Sequence, residues 1–289
     1  MKKILVTGAN GQLGKELRDL AAQFSACEFL FLSREDMPIH HFELVRHFFD
    51  QFKPDFCINC AAYTAVDKAE SETELAKLIN AESVGILSAV AAEADCRFVH
   101  ISTDYVYSGD GSRPYVETDP TRPLSVYGKT KLDGEIAAIK NDPLAVIIRT
   151  SWVYSVYGHN FVKTMLRLMK DRPEIRVVSD QIGSPTYAAD LAFCIMHIIG
   201  SEAWHPGVYN FSNEGEISWF EFALEIGRIT GSSCVVHPIP TSAYPTPAQR
   251  PLYSVMDKHK ICETFGIELK NWKESLLKCI NNLNSSNKN

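Results

Sequence analysis

No stretch of this sequence runs apolar for the ~18 residues a membrane span needs, so no membrane partner is expected. Positive charge is not in excess either, with 29 Lys and Arg against 35 Asp and Glu, a net charge of −6. The densest basic stretch, Met169 to Arg176, is short and carries Asp171 and Glu174. The clustered cations that neutralise nucleic-acid phosphates are missing, and no nucleic-acid partner is expected. The eight cysteines have no framework of spacings, which argues against a disulfide-stapled secreted domain and for reduced thiols in the cytoplasm. Cys57 and Cys60 have CxxC spacing, but they fall in an apolar run that reads as a buried strand, without zinc-spaced partners. His40, His41 and His47 lack a matching carboxylate pattern, so no metal ligands are assigned. No repeat at a period of ~20 to 50 residues is present, which excludes a solenoid. The apolar run Ile4 to Val6 is too short for a signal peptide and meets Gly8 where a cleavage region would lie.

What remains is an ordinary folding composition, 45% hydrophobic and 22% charged over 289 residues. That length holds one large domain or two interlocked ones. Short apolar runs at Ile4 to Val6, Phe29 to Leu32, Phe56 to Ile58, Phe98 to Ile101 and Ala145 to Ile148 suit strands covered on both faces. Amphipathic stretches long enough for helices separate them: Leu13 to Phe24, Leu44 to Phe52, Glu72 to Ala94 and Val126 to Ile139. The alternation predicts an α/β chain, a Rossmann-type doubly wound parallel sheet with a smaller C-terminal substrate-binding domain. Residues 1–150 are expected to form the dinucleotide-binding part, with a return over about 175–212. Residues 151–174 and 213–289 would form the interleaved substrate part, and the polar tail Asn284 to Asn289 is expected to fray.

Gly8-Ala9-Asn10-Gly11-Gln12-Leu13-Gly14 follows the first strand and opens the first helix. Glycine permits the tight turn and lets backbone approach a pyrophosphate, and the helix start supplies free N–H groups. In this context the loop reads as dinucleotide-binding. The second strand ends at Ser33-Arg34, with Glu35 and Asp36 only later. Arg34 either pairs with a 2′-phosphate, which favours NADPH over NADH, or is a solvated loop charge. Tyr127 and Lys131 are four apart on a predicted helix, so both can meet one ligand. An ammonium beside a phenol favours the phenolate, which would make Tyr127 a tunable proton donor for carbonyl reduction. Lys129 is out of phase and faces solvent. Ser102-Thr103 ends the fourth strand, where a hydroxyl can meet the same carbonyl oxygen, and Asn80 stands early in the long preceding helix.

The spacing of glycines, with Tyr127, Lys131, Thr103 and Asn80 in that company, resembles the extended short-chain dehydrogenase/reductase superfamily. The strings Ala61-Ala62-Tyr63-Thr64-Ala65-Val66-Asp67, Ser102-Thr103-Asp104-Tyr105-Val106-Tyr107, Arg149-Thr150-Ser151-Trp152, Asp180-Gln181-Ile182-Gly183-Ser184-Pro185-Thr186 and Pro245-Thr246-Pro247-Ala248-Gln249-Arg250-Pro251 resemble the dTDP-4-dehydrorhamnose reductase family over nearly the whole chain. The resemblance implies reduction of the 4-keto group of dTDP-4-dehydro-L-rhamnose, the last step of dTDP-L-rhamnose synthesis. It makes Tyr127 the proton donor, Thr103 the carbonyl's hydrogen-bond partner, and Lys131 the residue that binds ribose and lowers the tyrosine pKa. Asn80 would complete the catalytic tetrad. Gly8, Asn10, Gly11, Gln12, Leu13, Gly14, Ser33, Arg34, Pro38, Ile39, Ala61, Ala62, Tyr63 and Ile101 would line the cofactor. Asp104 and Trp152 would contact the sugar, and Arg250 the nucleotide diphosphate, where a guanidinium matches phosphate oxygens in pairs. Pro38-Ile39 stands where many family members have Asp-Ile, which removes a carboxylate near the adenine. Outside the resemblance, Trp152 reads as a core aromatic, Asp104 as a loop cap and Arg250 as a surface charge.

The family also brings Mg²⁺ as a cofactor, without residues here to assign it to, and leaves a homodimer as one open oligomeric state. Two competing functions share the fold. A 4,6-dehydratase needs Asp-Glu after the active-site Thr, and Tyr105 follows Asp104 here, so the base is missing. A non-catalytic regulatory subunit would have no use for Thr103, Tyr127, Lys131 and Trp152 together.

Overall fold

Strands that are apolar on both faces must be covered on both, and in this protein two helical layers do so. The computed structural model describes residues 1–286. The first half comprises β1 (Lys2–Thr7), α1 (Gln12–Ala21), β2 (Cys27–Leu32), α2 (Phe42–Phe52) and β3 (Phe56–Asn59). Then come α3 (Val66–Ala69), α4 (Thr73–Lys77) and α5 (Ser83–Glu93), the last two joined through a π-turn over Leu78–Glu82. β4 (Arg97–Thr103), a 3₁₀ turn (Asp104–Val106), α6 (Val126–Asn141) and β5 (Val146–Thr150) follow. The remainder runs β6 (Val153–Tyr154), α7 (Phe161–Asp171), β7 (Glu174–Val178), β8 (Ile182–Gly183), β9 (Thr186–Tyr187), α8 (Ala188–Gly200) and β10 (Gly207–Phe211). It ends with β11 (Ile217–Ser218), α9 (Trp219–Thr230), β12 (Val235–Ile239), α10 (His259–Phe265) and α11 (Trp272–Ser286).

The main sheet is parallel throughout and six-stranded, in the order β2-β1-β3-β4-β5-β10. Strand order reverses between β1 and β3, the switch point where an open α/β sheet leaves a crevice beyond its C-terminal edge. Alternate residues go to opposite faces: Ile4, Val6 and Ile58 pack with Leu17, Leu191, Ile195 and Ile261 on one side. Leu5, Cys57 and Ile147 pack with Val45, Phe49, Leu87 and Ala138 on the other. A separate core, with Met165, Ile175, Phe222 and Leu276, holds the C-terminal part together.

Of the segment expected to return to the first domain, α8 and β10 do so, while β7 pairs with β12 and β8 with β11 away from the main sheet. Helix continues through Ser286 where a frayed tail was expected, and residues 287–289 lie outside the described residues. Thr73–Glu93 is long and apolar enough to span a membrane, yet half of it is buried and Val84, Leu87 and Val90 pack in the second core. Its place is that of a core helix.

Candidate active site

The glycine loop works through what it omits. Gly8 has φ +66°, and a Cβ there would lie 2.6 Å from the Ala61 nitrogen; at Gly14 it would lie 2.5 Å from the Gly8 carbonyl oxygen. α1 starts after Gly11 with no side-chain cap and no acidic residue in its first turn. Unpaired N–H groups at the positive end of a helix form a cradle for a pyrophosphate. Asn10 is exposed beside it, whereas the Leu13 side chain is buried in the core below. The Gln12 carboxamide oxygen accepts from Asn160 Nδ2 (2.9 Å), which ties this loop to the C-terminal part.

Past β2, the buried Ser33 Oγ accepts the N–H groups of Glu35 and Asp36, and Asp36 accepts the Ser33 N–H, closing a tight turn. Arg34 projects from that turn with its side chain 87% exposed and Glu35 3.8 Å away. Ile39 is buried and Pro38 half-buried, so their side chains are packing groups. Ala61, Ala62 and Tyr63 line the half-buried stretch after β3. Asn80, in the π-turn, braces that stretch: its Oδ1 accepts the Tyr63 N–H (2.8 Å), and its Nδ2 donates to the Tyr63 carbonyl and to Thr130 Oγ1. π-turns recur at functional sites. The Asn80 carboxamide thus ties the stretch after β3 to α6.

Ser125 caps α6 by accepting the Gly128 N–H, and the first turn then sets Tyr127 beside Thr103. Surrounding protein pushes the Tyr127 phenol up to about 12, and Asp104 adds to the shift, so the phenol holds its proton. The Lys131 ammonium is itself disfavoured: 1% exposed and desolvated, it is drawn down to about 8. Its Nζ donates to the Ile101 carbonyl (2.6 Å) and lies 3.1 Å from His100 Nε2. Lys129 is exposed, as its phase predicts.

Asp104 is buried, accepts from the Thr103 hydroxyl (3.0 Å), and has one oxygen, Oδ2, without a partner. Burial raises it to about 6. An unmet acceptor beside Thr103 is a place for a ligand hydroxyl. Tyr105 packs edge-on to Tyr127, 5.5 Å between centroids. Trp152 leaves β5 at φ +48°, a costly conformation for an aromatic, and stacks on Trp219 at 3.5 Å. Thr103 and Thr150 are register partners, so this indole pair emerges at the same sheet edge as the tyrosine.

The Arg250 guanidinium forks onto the Asp67 carboxylate (2.6 and 2.8 Å), which pins the loop carrying Ala248 to α3. Sequence reading missed Glu135, which accepts from Ser102 and pairs with Arg149 (2.7 Å) beneath the site. Its i+4 spacing from Lys131 was a usable signal. Among the described residues no group of three or more His, Cys, Asp or Glu side chains could hold a metal ion.

A parallel sheet with a bare helix start at its switch point, and a protonated tyrosine and a lysine one turn apart beside it, define a nicotinamide-dependent oxidoreductase of the short-chain type. The RmlD substrate binding domain model matches residues 1–285. The dTDP-4-dehydrorhamnose reductase of Burkholderia thailandensis is 41% identical, covering 97% of this chain and 99% of the relative. The spore coat polysaccharide biosynthesis protein SpsK of Bacillus subtilis is 42% identical over 96% of each chain. The structure of the Bacillus anthracis dTDP-4-dehydrorhamnose reductase in complex with NADP superposes with a TM-score of 0.94 at 37% identity, covering 98% of this chain and all of that one. This chain belongs to the dTDP-4-dehydrorhamnose reductase family.

Proposed function

We propose that the chain reduces the 4-keto group of dTDP-4-dehydro-L-rhamnose to give dTDP-L-rhamnose, using NADPH or NADH, as a cytoplasmic enzyme. The observation that carries the reading is the placement of Tyr127, one helical turn ahead of the buried Lys131, beside the C-terminal end of the strand that carries Thr103. The cradle at Gly8, Gly11 and Gly14 fits a pyrophosphate, because α1 opens there with no side-chain cap and no acidic residue in its first turn. When bound there, the reduced nicotinamide supplies the hydride. Thr103 orients the carbonyl oxygen, Tyr127 gives it a proton, and Lys131 holds the ribose. Asp104, through its unpaired oxygen, accepts a sugar hydroxyl, and Trp152 on Trp219 offers the sugar a flat apolar floor. Arg34 is free to meet the 2′-phosphate of NADPH.

The test is oxidation of NADPH and of NADH with dTDP-4-dehydro-L-rhamnose and with its UDP counterpart. Turnover of the dTDP sugar is expected. A second incubation, dTDP-glucose with NAD⁺, should yield no 4-keto-6-deoxy sugar, since Tyr105 occupies the place of the dehydratase base. Formation of that product would overturn the reading.

A further inference from the structure

Beneath Lys131 lies a chain of hydrogen bonds that neither the fold nor the reaction requires. Thr7, Asn59 and His100 are register partners on β1, β3 and β4, so their side chains form one row across the sheet. All three are buried, at most 1% exposed. Thr7 Oγ1 donates to Asn59 Oδ1 (2.6 Å), the Ala61 N–H donates to the same oxygen (3.2 Å), and Asn59 Nδ2 lies 3.0 Å from His100 Nδ1. His100 Nε2 then faces Lys131 Nζ at 3.1 Å.

The protons in this row can be counted. Two donors on Asn59 Oδ1 fix the carboxamide with its NH₂ toward His100, so Nδ1 must accept. An imidazole that accepts at Nδ1 is neutral and carries its one proton on Nε2, and burial likewise opposes the charged ring. That proton points at Nζ. An ammonium has no lone pair to receive it, whereas a neutral amine has one and still donates to the Ile101 carbonyl.

We propose that His100 is a positioning residue that presents a donor to Lys131, so that in mildly alkaline solution Lys131 rests as a neutral amine and takes up a proton from solvent when cofactor binds. The inference rests on the reading of Lys131 as the ribose-binding residue: ribose hydroxyls offer the acceptors that an ammonium needs. The other groups facing Lys131 do not hold its proton in the resting state. Glu135, on its own helix, favours the ammonium, but its carboxylate is already shared between Arg149 and Ser102 and burial outweighs it. Cys60, at the end of β3, is kept a neutral thiol by burial, and Tyr127 holds its own proton. Uptake balances as one proton from buffer onto Nζ, which exchanges the His100 donor for the ribose hydroxyls, while His100 keeps its single proton.

Calorimetric titration of the full chain with NADPH at about pH 8.5, in buffers of different ionisation enthalpy, reads the protons taken up. Wild type is expected to take up roughly half a proton or more per site. In His100→Gln the amide can turn its oxygen to Nζ, and in Asn59→Asp a carboxylate accepts from Nδ1 and frees Nε2 as an acceptor. Both variants favour the resting ammonium, so uptake should fall below about a fifth of a proton. Either variant suffices if the other does not fold. A merely structural role would weaken binding and leave uptake unchanged, which overturns the proposal, as does binding to wild type without uptake. Failure of wild type to bind NADPH at all would instead sink the cofactor-site reading on which it rests.

Discussion

The turn between β1 and α1 presents bare backbone, whereas the cluster joining β4 to α6 presents side chains that the fold has taken out of water. In the first, function lies in atoms that are missing: no Cβ at Gly8 or Gly14 and no cap on α1. In the second, Tyr127, Lys131 and Asp104 are all shifted toward their neutral forms by burial. Binding can be built locally from unpaired N–H groups, but reactivity here depends on desolvation, which no local segment provides. The two regions should therefore answer differently to substitution.

The largest effect is expected from Tyr127→Phe, which removes the proton donor and keeps the ring. Turnover should fall ~10²- to 10⁴-fold with NADPH affinity little changed. Steady-state kinetics beside a fluorescence titration would check this, and a variant retaining more than about a tenth of kcat removes Tyr127 as the acid. Gly8→Ala tests the opposite region. With φ +66° and backbone 2.6 Å from the new Cβ, it should weaken NADPH binding at least ~10-fold and lower the melting temperature. Gly231→Ala is the control, at φ +64° but in open space, and should cost only ~1 kcal/mol of backbone strain with no loss of affinity. Equal effects at both glycines would reduce the cradle to a strained turn.

Asp104→Asn sharpens the second half of the comparison. A carboxyl raised from 3.8 to about 6 on folding contributes stability that is full below its unfolded pKa and lost as pH rises through about 6. Wild type therefore carries a penalty at neutral pH that the amide lacks. The variant should gain roughly 2 kcal/mol near pH 7.5 and lose that advantage near pH 4, in denaturant melts at both pH values, while turnover falls. No gain at neutral pH would mean that the carboxylate is solvated. The smallest effect is expected at Arg34→Ala, which should shift the NADPH to NADH preference by up to about ten-fold. An unchanged ratio would leave Arg34 a solvent charge.

The main strands were legible as short apolar runs, and so was Tyr127 with Lys131, because helical phase puts i and i+4 together. Arg250 was not. Its residue type suits phosphate, and only the approach of α3 showed that Asp67 occupies its fork. Trp219 likewise carried no signal of its own, since it joins the site by stacking on an indole 67 positions earlier.

By itself the sequence determined the order of strands and helices, the bare glycine turn and the chemical types at the crevice, because each depends on local periodicity or on the absence of a side chain. Tertiary structure alone decided the charge those types carry. Register sets Thr7, Asn59 and His100 in one row under Lys131, and burial moves Tyr127, Lys131 and Asp104 away from their solution behaviour. The physical reason is that a pKa follows the distance to water and to partner groups, and those distances exist only once strands far apart in sequence lie side by side.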